Sequence, residues 1–468
     1  MGLLLGPVLA LLVYALIPAT DLGQAGRAVL ACTTLMAVYW VTEALPLPAT
    51  ALIPLVFLPL SGGASIDVVA PAFGNPVVFL YMGGFVLALA LEKWNLHRRI
   101  ALKIIDAIGT AHQRIVLGVL IATSVLSLFI SNSATALMML PVALALIAEV
   151  RAREMLDEAN GEKFAKCLLL TVAYSATVAG LGTIVASVPN ALFAAIVSEE
   201  LGRTISFAQW SAFAMPLVLF LLVVLYFYLT RVAFRITARS DARVDFVREE
   251  LEKLGPMGAG ERIVAITFLL TAFLWVFKGW IGLGSVHDAV ISMTATVALF
   301  ALPAPEPSRR ILEWADMHKL PWGILLLFGG GLALAASFSA AGVNDWIATS
   351  LGMLERFSPV MVVAILTLLV LAMTEILSNT AVSNLVLPLC IGLAAALGVD
   401  PLPLMAATAL AAGSCYMLPV ATPPNTAVFS SGELTVGDMA RAGLWLNLVS
   451  IVAIVLAVRF WFPVAIGG

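Results

Sequence analysis

Long apolar segments follow one another along the whole chain and are separated by short polar loops. Ala208–Leu229, for example, contains no charged residue over the roughly 20 residues that a helix needs to cross a bilayer. The 468 residues are 62% hydrophobic and 11% charged, whereas soluble domains carry about 25% charged residues. We therefore expect an all-α, multi-pass protein of the inner (plasma) membrane, with lipid around it.

The remaining composition excludes several other classes of protein. A net charge of -3, without a basic run that contains aromatic residues, gives no reason to expect a nucleic-acid partner. The four cysteines lie in apolar segments without metal-like spacing, so we interpret them as small buried side chains rather than disulfide partners. The four histidines fall at segment ends or in loops, which argues against a histidine metal centre.

Two short polar islands interrupt the apolar pattern. Ser131-Asn132-Ser133 lies within one long segment and Ser378-Asn379-Thr380 within another, and Leu-Pro follows nine residues after the first serine in both. Serine, asparagine and threonine compete with helical backbone hydrogen bonds and favour helix starts. Non-helical backbone at membrane depth is tolerated only inside protein or beside a cavity. We expect the two islands to face each other across one binding site.

Each island lies in a segment that is too long for one straight span. Ile115–Val150 fits a re-entrant hairpin better than a broken helix, because a hairpin leaves the basic loops on one side of the membrane. Phe164–Val197 reads as one span interrupted at Gly180–Gly182. In the second half, the corresponding span should run over Leu402–Val420 and break at Ala421–Asn425, where Thr-Pro favours a new helix start.

Three landmarks recur in the same order in both halves of the chain. Gly83-Gly84 matches Gly329-Gly330, Ser131-Asn132 matches Ser378-Asn379, and Pro189-Asn190 matches Pro424-Asn425. Paired interrupted segments of this kind indicate a transporter with inverted-topology repeats and a site near the membrane midplane. We expect the basic loop over residues 231–262 to be cytoplasmic, which sets the orientation of the chain in the membrane. Arg309–Lys319 falls on the same side. The basic residues of the loop are Arg231, Arg235, Arg239, Arg243, Arg248, Lys253 and Arg262.

No Lys, Arg or His falls within either island or either break. An anion bound there must be neutralised by helix N-termini, hydroxyls, amides and co-bound cations. The absence of a nearby His, Lys or Asp argues against a hydrolase, and paired broken helices are not typical of a passive channel. The pattern predicts a cation-coupled anion carrier rather than an enzyme.

These motifs resemble those of the divalent-anion/sodium symporters, which include the sodium-coupled di- and tricarboxylate carriers. The resemblance covers nearly the whole chain. It is most specific at Trp40-x-Thr42-Glu43-x-x-Pro46, Ser131–Thr135, Ser378–Thr380 and Leu418–Asn425. It implies a homodimer in which a scaffold holds a mobile transport domain that moves like an elevator, and co-transport of Na⁺ with succinate, malate, fumarate or citrate.

The resemblance also implies roles for particular residues. One sodium site would use Ser127, Ser131, Asn132 and the backbone near Gly180, and a second would use Thr374, Asn379 and the backbone near Ala421. Substrate carboxylates would meet both islands and the Thr422-Pro423 turn. The expected division is scaffold over 1–112, transport part over 113–230, cytoplasmic loop over 231–262, scaffold over 263–356 and transport part over 357–468, with amphipathic arms at 94–109 and 343–354.

Two departures from the family pattern leave alternatives open. The first island ends in Ser133 where dicarboxylate carriers usually have Thr, and the first break reads Ser187-Val188-Pro189 rather than Thr-Pro-Pro. A carrier of sulfate or another small oxyanion is therefore one alternative, and a dicarboxylate exchanger is another.

Two carboxylates lie in apolar segments. Glu43 is expected to satisfy hydrogen bonds near a span end, and Glu375 is expected either to carry a proton or cation or to orient its hairpin.

Overall fold

The computed structural model describes residues 2–109, 111–235, 246–305, 310–352 and 356–466, and these residues are almost entirely helical. An isolated antiparallel bridge joins Pro303 and Arg310. Arg239, Arg243, Arg309 and the end of the second expected arm, 353–354, lie outside the described residues. In chain order the helices are α1 Gly2–Leu16, α2 Gln24–Thr42, α3 Leu47–Thr50, α4 Ile53–Ser61, α5 Ile66–Val69, α6 Pro76–Lys93, α7 Leu96–Ile108, α8 His112–Ser127, α9 Asn132–Ala152, α10 Glu158–Gly180, α11 Val188–Leu201, α12 Phe207–Phe227, α13 Phe246–Leu254, α14 Ala259–Phe277, α15 Asp288–Ala301, α16 Trp322–Ala340, α17 Val343–Ser350, α18 Pro359–Thr374, α19 Asn379–Leu397, α20 Pro401–Ala412, α21 Pro423–Phe429, α22 Val436–Leu456 and α23 Phe462–Ala465.

Eight helical stretches among the described residues are long and apolar enough to cross a membrane. Their outward faces carry large apolar side chains, such as Phe220, Leu269 and Val452, each of which is more than half exposed. Such a surface would be unfavourable in water but suits the hydrocarbon of a bilayer, where helices satisfy their backbone hydrogen bonds internally. The expectation of an all-α membrane protein is confirmed.

Both islands lie at the tips of helical hairpins. The four residues 128–131 join α8 to α9, and the four residues 375–378 join α18 to α19. The two helices of each hairpin pack against each other. The hairpin interpretation of Ile115–Val150 is confirmed.

Two spans are broken near their middle. The first break covers residues 181–187 between α10 and α11, as the sequence indicated. The second covers residues 413–422 between α20 and α21, so the expectation of a continuous helix over Leu402–Val420 is wrong. The helix ends at Ala412 because Glu375, on the neighbouring hairpin, accepts the backbone N–H groups of residues 416–418, which are then not free to bond within the helix.

Helix contacts divide most of the chain into two groups. In the first, α6 packs on α15, while α16 packs on the turn at Ala70–Gly74 and on α3. In the second, α8–α12 and α18–α22 interleave, with α10 touching α21 and α11 touching α20. Ion pairs between the two halves of the chain tie this second group together: Arg151–Glu433 at 2.7 Å and Lys166–Asp438 at 3.0 Å.

The arm helices connect the two groups. Helix α7 packs on α8 and α17 packs on α19. Buried Arg99 of α7 pairs with Glu261 of α14 at 2.9 Å and also donates to the carbonyl oxygen of Gly255 at 2.8 Å. Because the guanidinium is fully paired in this way, α7 is fixed to the start of α14.

Close glycine contacts occur both within the first group and where the two groups meet. A Cβ on Gly83 would lie 2.5 Å from Ser292, and one on Gly330 would lie 2.7 Å from Ala51. The next glycines, Gly84 and Gly331, face the other helix group instead. The contacts therefore favour pairing Gly83-Gly84 with Gly330-Gly331, 247 residues apart like Ser131 and Ser378, rather than with Gly329-Gly330.

Candidate functional site

A hydroxyl, an amide and a backbone carbonyl converge at the first hairpin tip. The Ser127 hydroxyl lies 3.0 Å from Asn132 Oδ1 and 2.8 Å from the carbonyl oxygen of Ala176. A Cβ on Gly180 would lie 2.0 Å from Asn132 Oδ1, so only glycine lets α10 approach the amide this closely. Ser131 instead caps α9, since its Oγ accepts the N–H of Ala134 at 3.3 Å.

The second hairpin tip repeats this arrangement. The Thr374 hydroxyl lies 2.7 Å from Asn379 Oδ1 and 2.9 Å from the carbonyl oxygen of Ala412. The thiol of buried Cys415 also reaches Asn379 Oδ1, at 3.3 Å. Thr374 and Asn379 are five residues apart, as are Ser127 and Asn132. The chain therefore builds the same oxygen cluster twice.

In each cluster one hydroxyl lies within hydrogen-bond distance of two acceptor oxygens. The hydroxyl carries one hydrogen and can donate it to either the amide oxygen or the carbonyl oxygen, but not fully to both. In the second cluster the Cys415 thiol supplies a second, weaker donor to the amide oxygen. Oxygen atoms that crowd together without enough donors provide the ligands of a small hard cation. Unwound carbonyls at half-helix C-termini are where transporters of this architecture coordinate Na⁺.

Asparagine side chains hold the carbonyls of both breaks. The Nδ2 of Asn190 lies 3.1 Å from the carbonyl oxygens of Gly180 and Leu181 and 2.9 Å from that of Thr183. Asn425 Nδ2 donates to the carbonyl oxygen of Leu418 at 3.0 Å. Both asparagines directly follow a proline near the start of the second half-helix. This second role of the recurring Pro-Asn landmark was not predicted from the sequence.

Glu375 binds the backbone of the second break. Its carboxylate accepts from the N–H groups of Tyr416 at 2.8 Å, Met417 at 3.1 Å and Leu418 at 3.2 Å. It also accepts from Asn447 Nδ2 at 2.6 Å, and the residue is 6% exposed. These bonds join the second hairpin tip to the backbone of the break and to α22. Of the two expectations for Glu375, orienting the hairpin is the one that these contacts favour.

The predicted substrate residues differ in accessibility. All six residues of the two islands are half-buried, whereas Pro423 is exposed. Thr422 is buried and caps α21, with its Oγ1 3.4 Å from the N–H of Asn425. Ser187, at the corresponding position of the first break, makes no side-chain cap.

Most of the residues predicted for the two cation sites lie together. Ser127, Asn132 and Gly180 meet at one tip, and Thr374 and Asn379 meet at the other. The carbonyls of Ala176 and Ala412 join them, and neither was predicted. Ala421 lies within the second break, where its N–H donates to the carbonyl oxygen of Leu418 at 3.2 Å, and its part in a cation site stays a prediction. The two carbonyls carry no residue-type signal, so only the folded geometry identifies them.

Comparison with known proteins identifies the family to which the full chain belongs. The sequence profile of the sodium:sulfate symporter transmembrane region matches residues 2–466. The chain belongs to this family. It is 41% identical over 476 residues to the sodium-dependent dicarboxylate transporter SdcS of Staphylococcus saprophyticus, covering 100% of this chain and 92% of that protein. It is likewise 41% identical over 479 residues to SdcS of Staphylococcus aureus, with the same coverage.

Solved structures place this sodium:sulfate symporter family member among known transporter folds. The YdaH transporter of Alcanivorax borkumensis superimposes with a TM-score of 0.62 at 15% identity, covering 92% of this chain and 98% of that one. MtrF of Neisseria gonorrhoeae superimposes with a TM-score of 0.55 at 11% identity, covering 97% of both chains. At these identities the likeness concerns the fold alone.

Proposed function

We propose that this protein is a secondary active transporter that couples Na⁺ to the uptake of di- or tricarboxylates of the succinate, malate, fumarate and citrate class. The observation that carries the proposal is the duplicated cluster of hydroxyl, amide and carbonyl oxygens, one at each hairpin tip. The full-length likeness to two sodium-dependent dicarboxylate transporters supports the same substrate class.

The chemistry of each cluster suits sodium. Its ligands are neutral oxygens, which Na⁺ binds without a fixed negative charge. In our proposal one ion binds Ser127, Asn132 and the carbonyl of Ala176, near Ser131 and Gly180. The other binds Thr374, Asn379 and the carbonyl of Ala412, with Ala421 nearby.

We propose that the substrate carboxylates bind between the two hairpin tips. Ser133 and Thr380 are half-buried, so their side chains are partly accessible to a substrate. The N-termini of α9 and α19, which are 21 and 19 residues long, each contribute roughly half a positive charge. The two sodium ions would supply the remaining positive charge, which makes anion binding depend on sodium.

Two inverted repeats and an elevator movement account for the packing. In our proposal α8–α12 and α18–α22 form the mobile body, and α1–α6 with α14–α16 form the scaffold. Helix α11 touches both α6 and α16, while among the described residues α21 makes no contact of similar extent with either. Helix α19 also touches α16 and α2, and α12 touches α14, so α11, α12 and α19 provide the contacts between the mobile body and the scaffold. A homodimer stays a prediction of the family resemblance.

Uptake of labelled succinate into proteoliposomes tests the proposal, with an inward sodium gradient and with choline in place of sodium. We expect saturable, sodium-dependent uptake that excess fumarate or malate blocks. Asn379→Ala should abolish this uptake with expression unchanged, because it removes an oxygen shared by the cation and substrate groups. Uptake of sulfate but not succinate would favour the oxyanion alternative, and equal uptake without sodium would favour exchange.

A further inference from the structure

Asn384 lies where the second hairpin presses against the central helix of the scaffold. It follows Asn379 by five residues on α19, and a Cβ on Gly331 of α16 would lie 1.9 Å from its Oδ1. The residue is 1% exposed. Gly331 therefore makes room for an amide that is completely enclosed between the two helices.

The side-chain amide of Asn384 is buried without a hydrogen-bond partner among the described residues. Neither its Oδ1 nor its Nδ2 has a hydrogen-bond partner among the residues that the structure describes. A primary amide can donate two hydrogen bonds and accept two, and enclosing such a group unpartnered is unfavourable. This helix contact therefore carries a penalty that an apolar side chain of similar size would avoid.

The other repeat lacks this feature. The residue five positions after Asn132 is Leu137, which is 58% exposed. The glycine that corresponds to Gly331, Gly84, faces the apolar side chain of Val185, with a hypothetical Cβ at 3.3 Å. The unpartnered amide is thus specific to the contact between α16 and α19.

We propose that Asn384 sets the rate of transport by destabilising the conformation in which α19 is packed on α16. This inference rests on the proposed elevator function. When the mobile body slides along the scaffold, α19 leaves Gly331 and the amide reaches water or polar partners. The penalty in the packed conformation is relieved by the movement, so Asn384 keeps that conformation from becoming a trap.

The proposal predicts an unusual combination of effects for Asn384→Leu, which replaces the amide with an apolar group of similar volume. The packed conformation should become roughly tenfold more favoured. We expect the unfolding temperature of the purified full-length protein to rise. The initial rate of sodium-driven succinate uptake should fall several-fold, mainly through its maximal rate rather than KM.

A cysteine reporter measures the conformation directly. Ala145 lines a cavity of about 460 Å³ between α7 and α9, together with Arg98, Met139 and Glu250. In the proposed movement this cavity closes when α19 leaves α16. The native cysteines are all buried, so a membrane-impermeant maleimide should report on Ala145→Cys. Labelling should become faster when Asn384→Leu is added.

Leu137→Ala is the matched control, since it changes the corresponding position of the first hairpin, and it should leave all three readouts near wild type. Wild-type uptake by Asn384→Leu, or a loss of uptake together with a lower unfolding temperature, would overturn the proposal. If Asn384→Leu does not fold, Asn384→Ala decides by the same readouts. If the wild-type protein shows no sodium-driven uptake, the proposed function fails, while the unfolding and labelling measurements still test Asn384.

Discussion

The two breaks occupy corresponding places in the two halves of the chain, and an asparagine bonds to carbonyl oxygens in both, but the second break is also held by a carboxylate. In the first break, residues 181–187, Asn190 and Trp210 donate to the carbonyl oxygen of Leu181, and Thr183 donates to that of Leu128 on the first hairpin tip. In the second break, residues 413–422, the carboxylate of Glu375 accepts backbone N–H groups. Every residue of the first break is buried, while Val420 in the second is 77% exposed.

This difference shows that an unwound segment can be stabilised through its backbone carbonyl oxygens or through its backbone N–H groups. Neutral donors suffice in the first break, because it is closed off from solvent and its carbonyls need partners. In the second, the carboxylate of Glu375 orients three N–H groups on a segment that includes the exposed Val420. The charge also places a fixed anion next to Thr374 in the chain, whereas Leu128 follows Ser127. The second cation group is therefore the one with a negative charge nearby.

Among the variants that test this comparison, Glu375→Gln should destabilise the protein most. The variant loses the anion and turns an amide NH₂ toward backbone N–H groups, so several charge-assisted bonds are lost at once. We expect a loss of stability of about 3 kcal/mol or more and at least a tenfold fall in sodium-driven uptake. Thermal unfolding of the purified protein and uptake into proteoliposomes measure the two quantities.

Leu128→Gln, at the corresponding position of the first hairpin, is the control for this variant. It should cost about 1 kcal/mol, since the first break does not use that side chain as an acceptor. If Glu375→Gln kept full stability and changed only the pH or sodium dependence of uptake, Glu375 would be a proton or cation carrier. The carboxylate would then not be what stabilises the second break.

A smaller effect should separate Asn190→Ala from Asn425→Ala. Asn190 serves three buried carbonyls, and removing its amide should cost about 2–3 kcal/mol. Asn425 bonds one carbonyl, that of Leu418, in a segment that is partly open, and its removal should cost about 1 kcal/mol. Thermal unfolding of both variants gives the order. The reverse order would mean that enclosure of the first break contributes less than its hydrogen bonds suggest.

The overall fold could be predicted because its signals are local. Apolar length gave the spans, the polar islands gave the hairpin tips, and Gly180–Gly182 gave the first break. Five-residue spacing also brings Ser127 to Asn132 and Thr374 to Asn379, since both pairs flank a tight turn. The resemblance to known symporters named these residues, and the structure brings the two members of each pair together.

The missed features depend on contacts between distant segments. Gly413 directly follows α20, but a single glycine does not by itself end a helix in an apolar segment, and the group that accepts the freed N–H groups is Glu375, far earlier in the chain. The carbonyls of Ala176 and Ala412 have no side-chain signature. Likewise, the sequence around Asn384 does not indicate that its side chain packs against Gly331 of α16. Such features follow from tertiary packing, which local patterns do not contain.

The smallest change in stability should come from the ion pair between Glu433, which follows α21, and Arg151 of the first hairpin, at 2.7 Å. The side chains are 27% and 45% exposed, so Arg151→Ala should cost less than about 1 kcal/mol at pH 7. The hydrogen bond from Arg151 lowers the pKa of Glu433 below its usual value of 4.5. Folding therefore gains from this pair above pH 4.5, and the gain is lost as the pH falls through the lower pKa of the folded state.

Unfolding temperatures of wild type and Arg151→Ala at pH 7 and at successively lower pH test this prediction. The two proteins should differ slightly at pH 7 and converge as the pH falls below 4.5, because Glu433 then becomes protonated in both. A large effect of Arg151→Ala at pH 7, comparable to that of Glu375→Gln, would show that the second break depends on its connection to the first hairpin. In that case Glu375 alone would not account for the stability of the second break.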